Sequence, residues 1–349
     1  MQFNVVMLGS DDSAIRKESY FRKVLLHLRE YWKSILLLVP SKEGKKGFYK
    51  VTDGVWYYYF PSFFHLLLFA LSRHKIKAKL IITMDPFLYG LVGMLLKHKK
   101  LKLVMELHSQ NLFNKKWLQY RRRNLFYHIL ARLILPRADK IRSVYYDKKI
   151  FSLYKDKIEL VPSNYTDTKL FVPNINEKEK EYDVIYVGRF HPEKNIEYLY
   201  NIIKQLNEKK YRCLIIGRGS LKYKIMLLSA GCEMIEWVPQ DVLAEYYKKS
   251  KVLISTSYNE GGPRTVYEAL ACGCLVAITP TGLARLTIEK HPCCGEIISG
   301  ENLKEDVQKI QQLIKEYPKR AKKCAHNIRK ELNYKKQIKR YGEFIKSLL

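Results

Sequence analysis

The sequence predicts an α/β protein of two domains, each built on a doubly wound parallel sheet. Apolar strand-like runs alternate with helix-like segments along the whole chain, which is the pattern of parallel sheets covered by helices. The 349 residues are enough for two well-formed cores. A polar run at 174–181 has the composition of a linker. We therefore expect one domain over residues 1–173 and a second over residues 177–332.

The first half of the chain is expected to begin with a strand at 3–8, which is followed by an amphipathic helix. In that helix Phe21, Val24 and Leu28 recur at helical spacing. Doubly wound sheets bind ligands at the carboxyl ends of their strands. His108 follows such a strand, and Asp85 is a weaker candidate at another strand end, although a lone histidine there is more often a polar rim residue. The other expected elements are strands at 35–39, 51–60, 80–83 and 101–107, and a helix at about 89–96.

The second half contains a strand–loop–helix–strand unit with its polar groups gathered in one loop. A β-rich run at 252–256 leads into the turn Glu260-Gly261-Gly262. Pro263 has the fixed φ that suits the first position of a helix, and Gly273 suits the position just beyond its end. A second apolar strand is expected at 275–278.

The loop of this unit has donors and acceptors for a polar ligand. The N–H groups of Gly261, Gly262 and Arg264 are expected to point out of the helix N-terminus, where anionic or hydroxylated ligands bind well. Glu260 lies in the loop and Glu268 lies two turns into the helix. Carboxylates only accept hydrogen bonds, so this pair suits a ligand rich in hydroxyl groups. A loop glutamate and a helix glutamate are also common without any function.

A second motif, VIYVGRFHPEKNIEYL, begins at Val184. Its strand ends in Gly188 and Arg189, and Lys194 lies in the approach to the next helix. Arginine offers a fork of donors and lysine a point charge, a combination that suits a diphosphate. Taken alone, either residue is also compatible with an ordinary surface charge that binds no ligand.

The stretch EGGPRTVYEALACG resembles the donor-sugar signature of retaining glycosyltransferases of family 4, in which two glutamates are separated by seven residues. The motif that begins at Val184 is similar to the same family, and the resemblance covers nearly all of the second domain and the first only loosely. It implies the GT-B fold, two Rossmann-like domains facing a cleft. It also implies retaining transfer of a sugar from a nucleotide diphosphate sugar to an acceptor, and a last helix at about 333–349 that packs back on the first domain.

The resemblance also implies residue roles. Glu268 would bind the ribose hydroxyls, while Glu260 and the loop amides would hold the sugar. Arg189 and Lys194 would stabilise the charge on the leaving diphosphate, so no metal ion or other cofactor is expected. Ser10-Asp11-Asp12 stands where the family has a glycine pair. The expected catalytic residues are His108, Arg189, Lys194 and Glu260. The expected donor-binding residues are Gly188, Arg189, Lys194, Glu260, Gly261, Gly262, Arg264 and Glu268.

The chain is strongly basic, with 63 Lys and Arg minus 34 Asp and Glu giving +29. Residues 1–170 hold 32 basic and 13 acidic residues (+19), and residues 171–349 hold 31 and 21 (+10). A field of this size favours an anionic partner, such as a membrane surface, a polyanionic substrate or, less strongly, nucleic acid. Lysine-rich surfaces are also common in some genomes without such a partner. The segments 60–79 and 117–137 place aromatic residues beside basic clusters, as interfacial helices do, although core helices with a basic solvated face have the same pattern.

No signal peptide is predicted, because Met1 leads directly into an amphipathic strand-like run. No transmembrane helix is predicted either, because the longest apolar stretch, 55–72, is interrupted by a proline and a histidine. The seven cysteines form no metal-binding pattern and favour a reduced, cytoplasmic protein. Attachment to the inner face of the membrane stays open, and the oligomeric state is not predicted. Three alternatives also stay open: a nucleic-acid-modifying glycosyltransferase, a sugar-nucleotide epimerase of the same architecture and a non-catalytic sugar-binding protein.

Overall fold

The computed structural model describes residues 3–17, 19–41, 43–72, 76–109, 112, 122–162, 166–332 and 334–349. The chain forms two compact units, Met1–Pro162 with Lys335–Leu349, and Ser163–Tyr334. Each unit is a largely parallel sheet with helices, which confirms the predicted fold class of two parallel-sheet α/β domains. Among the described residues, no helix has both the length and the apolar character needed to cross a membrane.

Outside the consecutive strands β2 to β4, the strands of the first unit mostly alternate with helices, as the sequence predicts. The described strands are β1 (Phe3–Leu8), β2 (Ile35–Pro40), β3 (Gly47–Thr52), β4 (Val55–Phe60), β5 (Ala78–Thr83), β6 (Lys102–Leu107), β7 (Lys140–Ser143) and β8 (Ile158–Leu160). The described helices are α1 (Tyr20–Leu28), α2 (Phe63–Leu71), α3 (Leu88–Leu96), α4 (Arg122–Ile134), α5 (Lys148–Leu153) and, from the C-terminus, α13 (Tyr334–Lys346).

The first sheet has the order β3-β4-β2-β1-β5-β6-β7-β8. Its central strands are buried on both faces, which explains their continuous apolar runs. The single strand predicted at 51–60 is wrong, because the chain forms a hairpin in which β3 pairs antiparallel with β4. The turn contains Asp53 and Gly54, and Gly54 has a φ of +76°. Asp-Gly is a strong hairpin signal, and it outweighs the apolar run that follows it.

The second unit is a smaller sheet of order β11-β10-β9-β12-β13-β14, in which each described pair is parallel. Its seven cysteines are free, and five of them are buried. The described strands are β9 (Tyr182–Val187), β10 (Cys213–Ile216), β11 (Glu233–Ile235), β12 (Ser250–Ser255), β13 (Leu275–Ile278) and β14 (Gly295–Ile297). The described helices are α6 (Ile196–Glu208), α7 (Leu221–Ser229), α8 (Gln240–Lys248), α9 (Arg264–Ala271), α10 (Gly282–Lys290), α11 (Leu303–Lys315) and α12 (Tyr317–Glu331).

Candidate functional site

The residues predicted to bind the donor gather at the centre of the second sheet. Successive strands run from β9 towards one edge and from β12 towards the other, so the strand order reverses between these two neighbours. Ligands of open parallel sheets bind at such a reversal, outside the carboxyl ends of the strands. The loops that follow β9 and β12 contain both of the motifs on which the sequence analysis depends.

Lys194 and Glu260 meet at this point, although 66 residues separate them. The Lys194 ammonium forms an ion pair with Oε1 of Glu260, and the Ser257 hydroxyl donates to the same oxygen at 2.8 Å. The two charged side chains are only 20% and 16% exposed. The pair is therefore partly shielded from water, where charge interactions are stronger than on an open surface.

Hydrogen bonds tie the loop after β9 to the loop after β12. The Thr256 hydroxyl donates to the Lys194 carbonyl at 2.8 Å, and the Tyr258 N–H donates to the Glu193 carbonyl at 2.8 Å. The Tyr258 hydroxyl donates to Asn195 Oδ1 at 2.7 Å. These bonds hold the backbone that carries Lys194 against the backbone that carries Glu260. These residues were not predicted from the sequence, where their only signal is a polar side chain directly after a buried strand.

The glycine loop, Gly261 and Gly262, is fixed by the next strand–helix connection. The Gly261 carbonyl accepts a hydrogen bond from the Leu283 N–H at 2.7 Å. Gly282 has a φ of +60°, and a Cβ there would lie 2.2 Å from the Gly261 oxygen, so only glycine fits. Within the described part of the chain, the N–H groups of Gly261 and Gly262 donate to no other residue. Pro263 is the N-cap of α9 and not its first helical residue, which shifts the predicted start by one position.

Glu268 lies in the second turn of α9 with its carboxylate almost fully buried. Arg264, one turn earlier, forms an ion pair with Glu268 Oε1 at 3.1 Å. Burial raises the pKa of Glu268, and the nearby Arg264 guanidinium opposes that shift. The result is a buried acceptor whose charged form is costly until a donor group arrives.

Gly188 and Arg189 directly follow β9, as the sequence predicts. The Arg189 carbonyl accepts a hydrogen bond from the Tyr186 hydroxyl at 3.3 Å, and the Arg189 side chain is exposed. Within the described residues, the guanidinium forms no ion pair with a carboxylate. Its donors are thus open to a ligand at the same sheet edge as Lys194.

His108 belongs to the first unit, where it follows β6. Its Nε2 lies 2.8 Å from Glu106 Oε2, and Glu106 Oε1 contacts the Arg142 guanidinium at 2.9 Å and the Tyr341 hydroxyl at 2.6 Å. The Arg142 guanidinium also stacks on the Tyr341 ring at 3.8 Å. Burial would raise the pKa of Glu106, but Arg142, His108 and Tyr341 together lower it to about 2. The imidazole is therefore held by a carboxylate that stays ionised at neutral pH.

Asp85, the second polar candidate in the first unit, follows β5 next to the strand that carries His108. Its Oδ1 accepts hydrogen bonds from the N–H groups of Phe87 at 2.7 Å and Tyr89 at 3.3 Å. Burial raises the pKa of Asp85, and these two N–H donors oppose the shift. Asp85 caps the start of α3, so its bonds already have a structural reason. Of the two predicted interfacial segments, residues 73–75 and 117–121 lie outside the described residues, as do the side chains of Arg122 and Arg123.

This chain is similar in sequence to a glycosyltransferase family and to one curated glycosyltransferase. Residues 167–331 match the family model for glycosyl transferases group 1. The amylovoran biosynthesis glycosyltransferase AmsD of Erwinia amylovora is 31% identical over 96 residues, a stretch that is 26% of this chain and 27% of AmsD. The matched stretch thus spans only about a quarter of that relative. Both matches name glycosyltransferases, and they support a transferase enzyme.

Solved structures extend the similarity to the whole fold. Sucrose-phosphate synthase of Thermosynechococcus elongatus is 16% identical, with a TM-score of 0.79 and 99% of each chain covered. HepE of Anabaena in complex with UDP is 14% identical, with a TM-score of 0.72 over 99% of this chain and 100% of that one. OtsA is 12% identical, with a TM-score of 0.72 over 100% and 99%. These structures identify the fold as GT-B.

Proposed function

We propose that this protein is a retaining glycosyltransferase of family 4 that transfers a sugar from a nucleoside diphosphate sugar, UDP or GDP, to an acceptor. The observation that carries the proposal is the partly shielded Lys194–Glu260 pair at the strand-order reversal, beside the glycine loop. The Glu-x7-Glu spacing supports the family and the retaining outcome. HepE, which has the same fold, was crystallised with UDP, and that supports UDP as the first nucleotide to test.

Five residues near the strand-order reversal have a part in the proposed reaction. Glu268 accepts hydrogen bonds from the two ribose hydroxyls, because the oxygens of a carboxylate act only as acceptors. The N–H groups of Gly261 and Gly262, at the N-terminus of α9, donate to the donor's oxygens. Arg189 and Lys194 stabilise the negative charge that develops on the leaving diphosphate, the kind of electrostatic contribution that is often the largest in catalysis.

The ion pair also explains how the site accepts its donor. Without a ligand, Lys194 and Glu260 neutralise each other in a partly buried position. A diphosphate competes for the ammonium, because phosphate oxygens are strong acceptors for lysine. Glu260 then has acceptor capacity for the sugar hydroxyls. The same two residues thereby recognise both ends of the bond that breaks.

The test replaces Lys194 with alanine and compares it with a lysine in the same kind of ion pair. Lys251 pairs with Asp183 at 3.1 Å, and these side chains are 19% and 17% exposed. Lys251 lies at the start of β12, whereas Lys194 and Glu260 lie beyond the carboxyl ends of β9 and β12. We expect Lys194→Ala and Arg189→Ala each to lower turnover about 10²-fold, as removal of an oxyanion-hole donor does. Lys251→Ala should keep turnover within about twofold at a similar cost in stability.

The readout is release of the nucleoside diphosphate from a panel of nucleotide sugars, with circular dichroism to confirm folding. Wild-type turnover in folded Lys194→Ala would refute the assignment. An equal loss in Lys251→Ala would mean that the effect comes from stability and not from the leaving group.

The proposed acceptor is a membrane lipid or glycolipid, which the protein reaches as a peripheral protein. The +19 balance of residues 1–170 supports this, because anionic lipid attracts basic surfaces. A glycolipid fraction should then accept radiolabelled sugar from the donor that the panel identifies. Transfer only to soluble acceptors would refute this part of the proposal and leave the donor chemistry intact.

A further inference from the structure

Helix α4 exposes an apolar stripe and not the polar stripe that is usual for a surface helix. Leu125, Phe126, Ile129 and Leu133 are between 52% and 60% exposed. Their spacing places them on one side of the helix, while Ala131 and Ile134 on the other side are buried. Both sides of the helix are therefore apolar, and only one of them packs on the sheet.

Helix α2 repeats the arrangement. Phe64, Leu68 and Leu71 are between 47% and 62% exposed, while Leu66 and Ala70 are buried. Helix α2 contains no charged residue, and neither does α3. Helix α3 contacts both α2 and α4, so the three helices lie side by side on the sheet. We call the outward residues of α2 and α4 the apolar face; they are Phe64, Leu68, Leu71, Leu125, Phe126, Ile129 and Leu133.

The segment that contains the apolar face is also strongly basic. Residues 61–137 hold 15 Lys and Arg and 2 Asp and Glu, which gives +13 out of the total of +29. Of the two acidic residues, Glu106 is buried and Asp85 is partly buried. Arg132 lies on the outward side of α4 itself, and the exposed residues Lys99 and Lys100 follow α3. Lys97 pairs with Asp139 just beyond the segment, and the other charges still leave a positive excess. Exposed apolar area and an excess of positive charge thus occur in the same segment.

A different helix shows that this combination is not general in the protein. Helix α7 of the second unit exposes Leu221, Ile225 and Leu228 at similar spacing. Its lysines are paired, however, Lys222 with Glu197 and Lys224 with Glu236. Helix α7 therefore has exposed apolar residues without an excess of positive charge.

Charge and polarity together select the partner of the apolar face. Two copies of the chain would bring two segments of +13 into contact, and that repulsion opposes self-association. Nucleic acid is bound through its phosphates, and exposed Leu, Ile and Phe contribute nothing to such contacts. An anionic bilayer satisfies both features, because its headgroups attract lysine and arginine and its acyl boundary accepts apolar side chains.

From these observations we infer that the apolar face is the surface with which the first unit binds an anionic lipid bilayer. The helices lie in the interface plane, with the outward side chains in the acyl boundary and the basic residues among the headgroups. The inference deepens the proposed function and rests on it only for the acceptor, because vesicle binding itself does not depend on the donor site.

The experiment measures co-sedimentation of the purified protein with vesicles of phosphatidylcholine and phosphatidylglycerol, with pure phosphatidylcholine vesicles and duplex DNA as comparisons. The test variant is Leu125→Ser, Ile129→Ser and Leu133→Ser together. Helix α7 offers a matched control, Leu221→Ser, Ile225→Ser and Leu228→Ser, with the same residue types and a similar exposed area. Serine at an exposed position costs little stability, so both variants should fold.

We expect the α4 variant to lose at least tenfold in vesicle affinity, because each methylene that leaves the acyl boundary costs about fourfold. The α7 variant should stay within about twofold of the wild type. Binding of the wild type should weaken from 0.1 M to 1 M salt, where the Debye length falls from about 10 Å to about 3 Å. Nucleotide binding, measured by thermal shift with UDP, should be unchanged in both variants.

The inference would be overturned by no binding to anionic vesicles at 0.1 M salt, by an equal loss in the two variants, or by tighter binding to DNA than to vesicles. Dimerisation that the α4 variant abolishes in the absence of lipid would assign the face to a second copy instead. Lys194→Ala should still bind vesicles, so failure of the donor assignment and failure of the membrane assignment give different results.

Discussion

Tyr341 offers a sharp test of how the C-terminal helix stabilises the first unit. Its hydroxyl donates to Glu106 at 2.6 Å, and its ring lies 3.8 Å from the Arg142 guanidinium carbon. Tyr341→Phe keeps the ring contact and removes only the hydroxyl. A hydrogen bond to a charged group contributes about 1.5–3 kcal/mol, so we expect the free energy of unfolding to fall by about 2 kcal/mol.

The size of the unit converts this into a change in melting temperature. Residues 1–162 and 335–349 amount to 162 plus 15, or 177 residues. For a domain of about this length, 1 kcal/mol shifts the melting temperature by about 2–4 °C, so Tyr341→Phe should lower it by about 4–8 °C. Scanning calorimetry and urea denaturation measure the two quantities independently.

Tyr145 provides a matched control with the opposite expectation. It is a fully buried tyrosine of the same unit, and among the described residues its hydroxyl has no hydrogen-bond partner. Tyr145→Phe should therefore leave stability unchanged or raise it, because it removes a buried unsatisfied group. A loss in Tyr145→Phe equal to that in Tyr341→Phe, or no loss in Tyr341→Phe, would refute the role of the hydroxyl.

The effect of Tyr341→Phe should also depend on pH. The pKa of Glu106 falls from an ordinary 4.5 to about 2 in the folded protein. A carboxyl with a depressed pKa stabilises the fold above its unfolded pKa, and that contribution is lost as pH falls towards the folded pKa. The difference between wild type and Tyr341→Phe should therefore shrink between pH 4.5 and pH 2.

Three further predictions concern the second unit. Because burial raises the pKa of Glu268, its charge destabilises the ligand-free protein above pH 4.5. The melting temperature of Glu268→Gln relative to wild type should therefore be higher at pH 7 than at pH 4, although the variant should bind the nucleotide at least tenfold more weakly. A lower relative melting temperature at pH 7 than at pH 4 would contradict this. Activity should survive excess EDTA, because cationic side chains carry the leaving-group charge; complete loss that Mg²⁺ or Mn²⁺ restores would disprove it. Gly282→Ala should weaken donor binding, because the added Cβ would lie 2.2 Å from the Gly261 carbonyl oxygen. The control Gly44→Ala, at a glycine of the first unit with a φ of +71° and no neighbour within 4 Å, should lower stability only. Equal donor affinity in both variants would refute the role of the Gly261 contact in donor binding.

The parallel sheets could be predicted because their signals are local. Strands at 35–39, 80–83 and 275–278 were expected within a few residues of the observed β2, β5 and β13. That Lys194 and Glu260 serve one donor site was implied only by the family resemblance, because the sequence does not show that the strands before their two loops are neighbours. The hydrogen bonds of Thr256 and Tyr258 were not predictable, because a hydroxyl after a strand has several equivalent partners in its loop.

The outward faces of α2 and α4 show a different limit of the sequence. A helix that is apolar on all sides is compatible with a core position and with an interface, and composition alone does not choose between them. The choice depends on whether another element covers the second side. In the first unit, Leu68 and Ile129 are about half exposed, so the interface reading gained support only from three-dimensional packing.

The network around Glu106 combines a part that sequence can reveal with a part that it cannot. Glu106 and Arg142 each interrupt a buried strand, and a buried charge must be paired, so neighbouring strands with opposite charges predict an ion pair. Tyr341 is 235 residues from Glu106 along the chain. The apolar pattern of α13 shows which side of that helix is buried, but it does not show which residue Tyr341 contacts. That contact depends on the path of the chain back to the first unit, and a hydroxyl at the correct height on α13 then completes the shell of the carboxylate that holds His108.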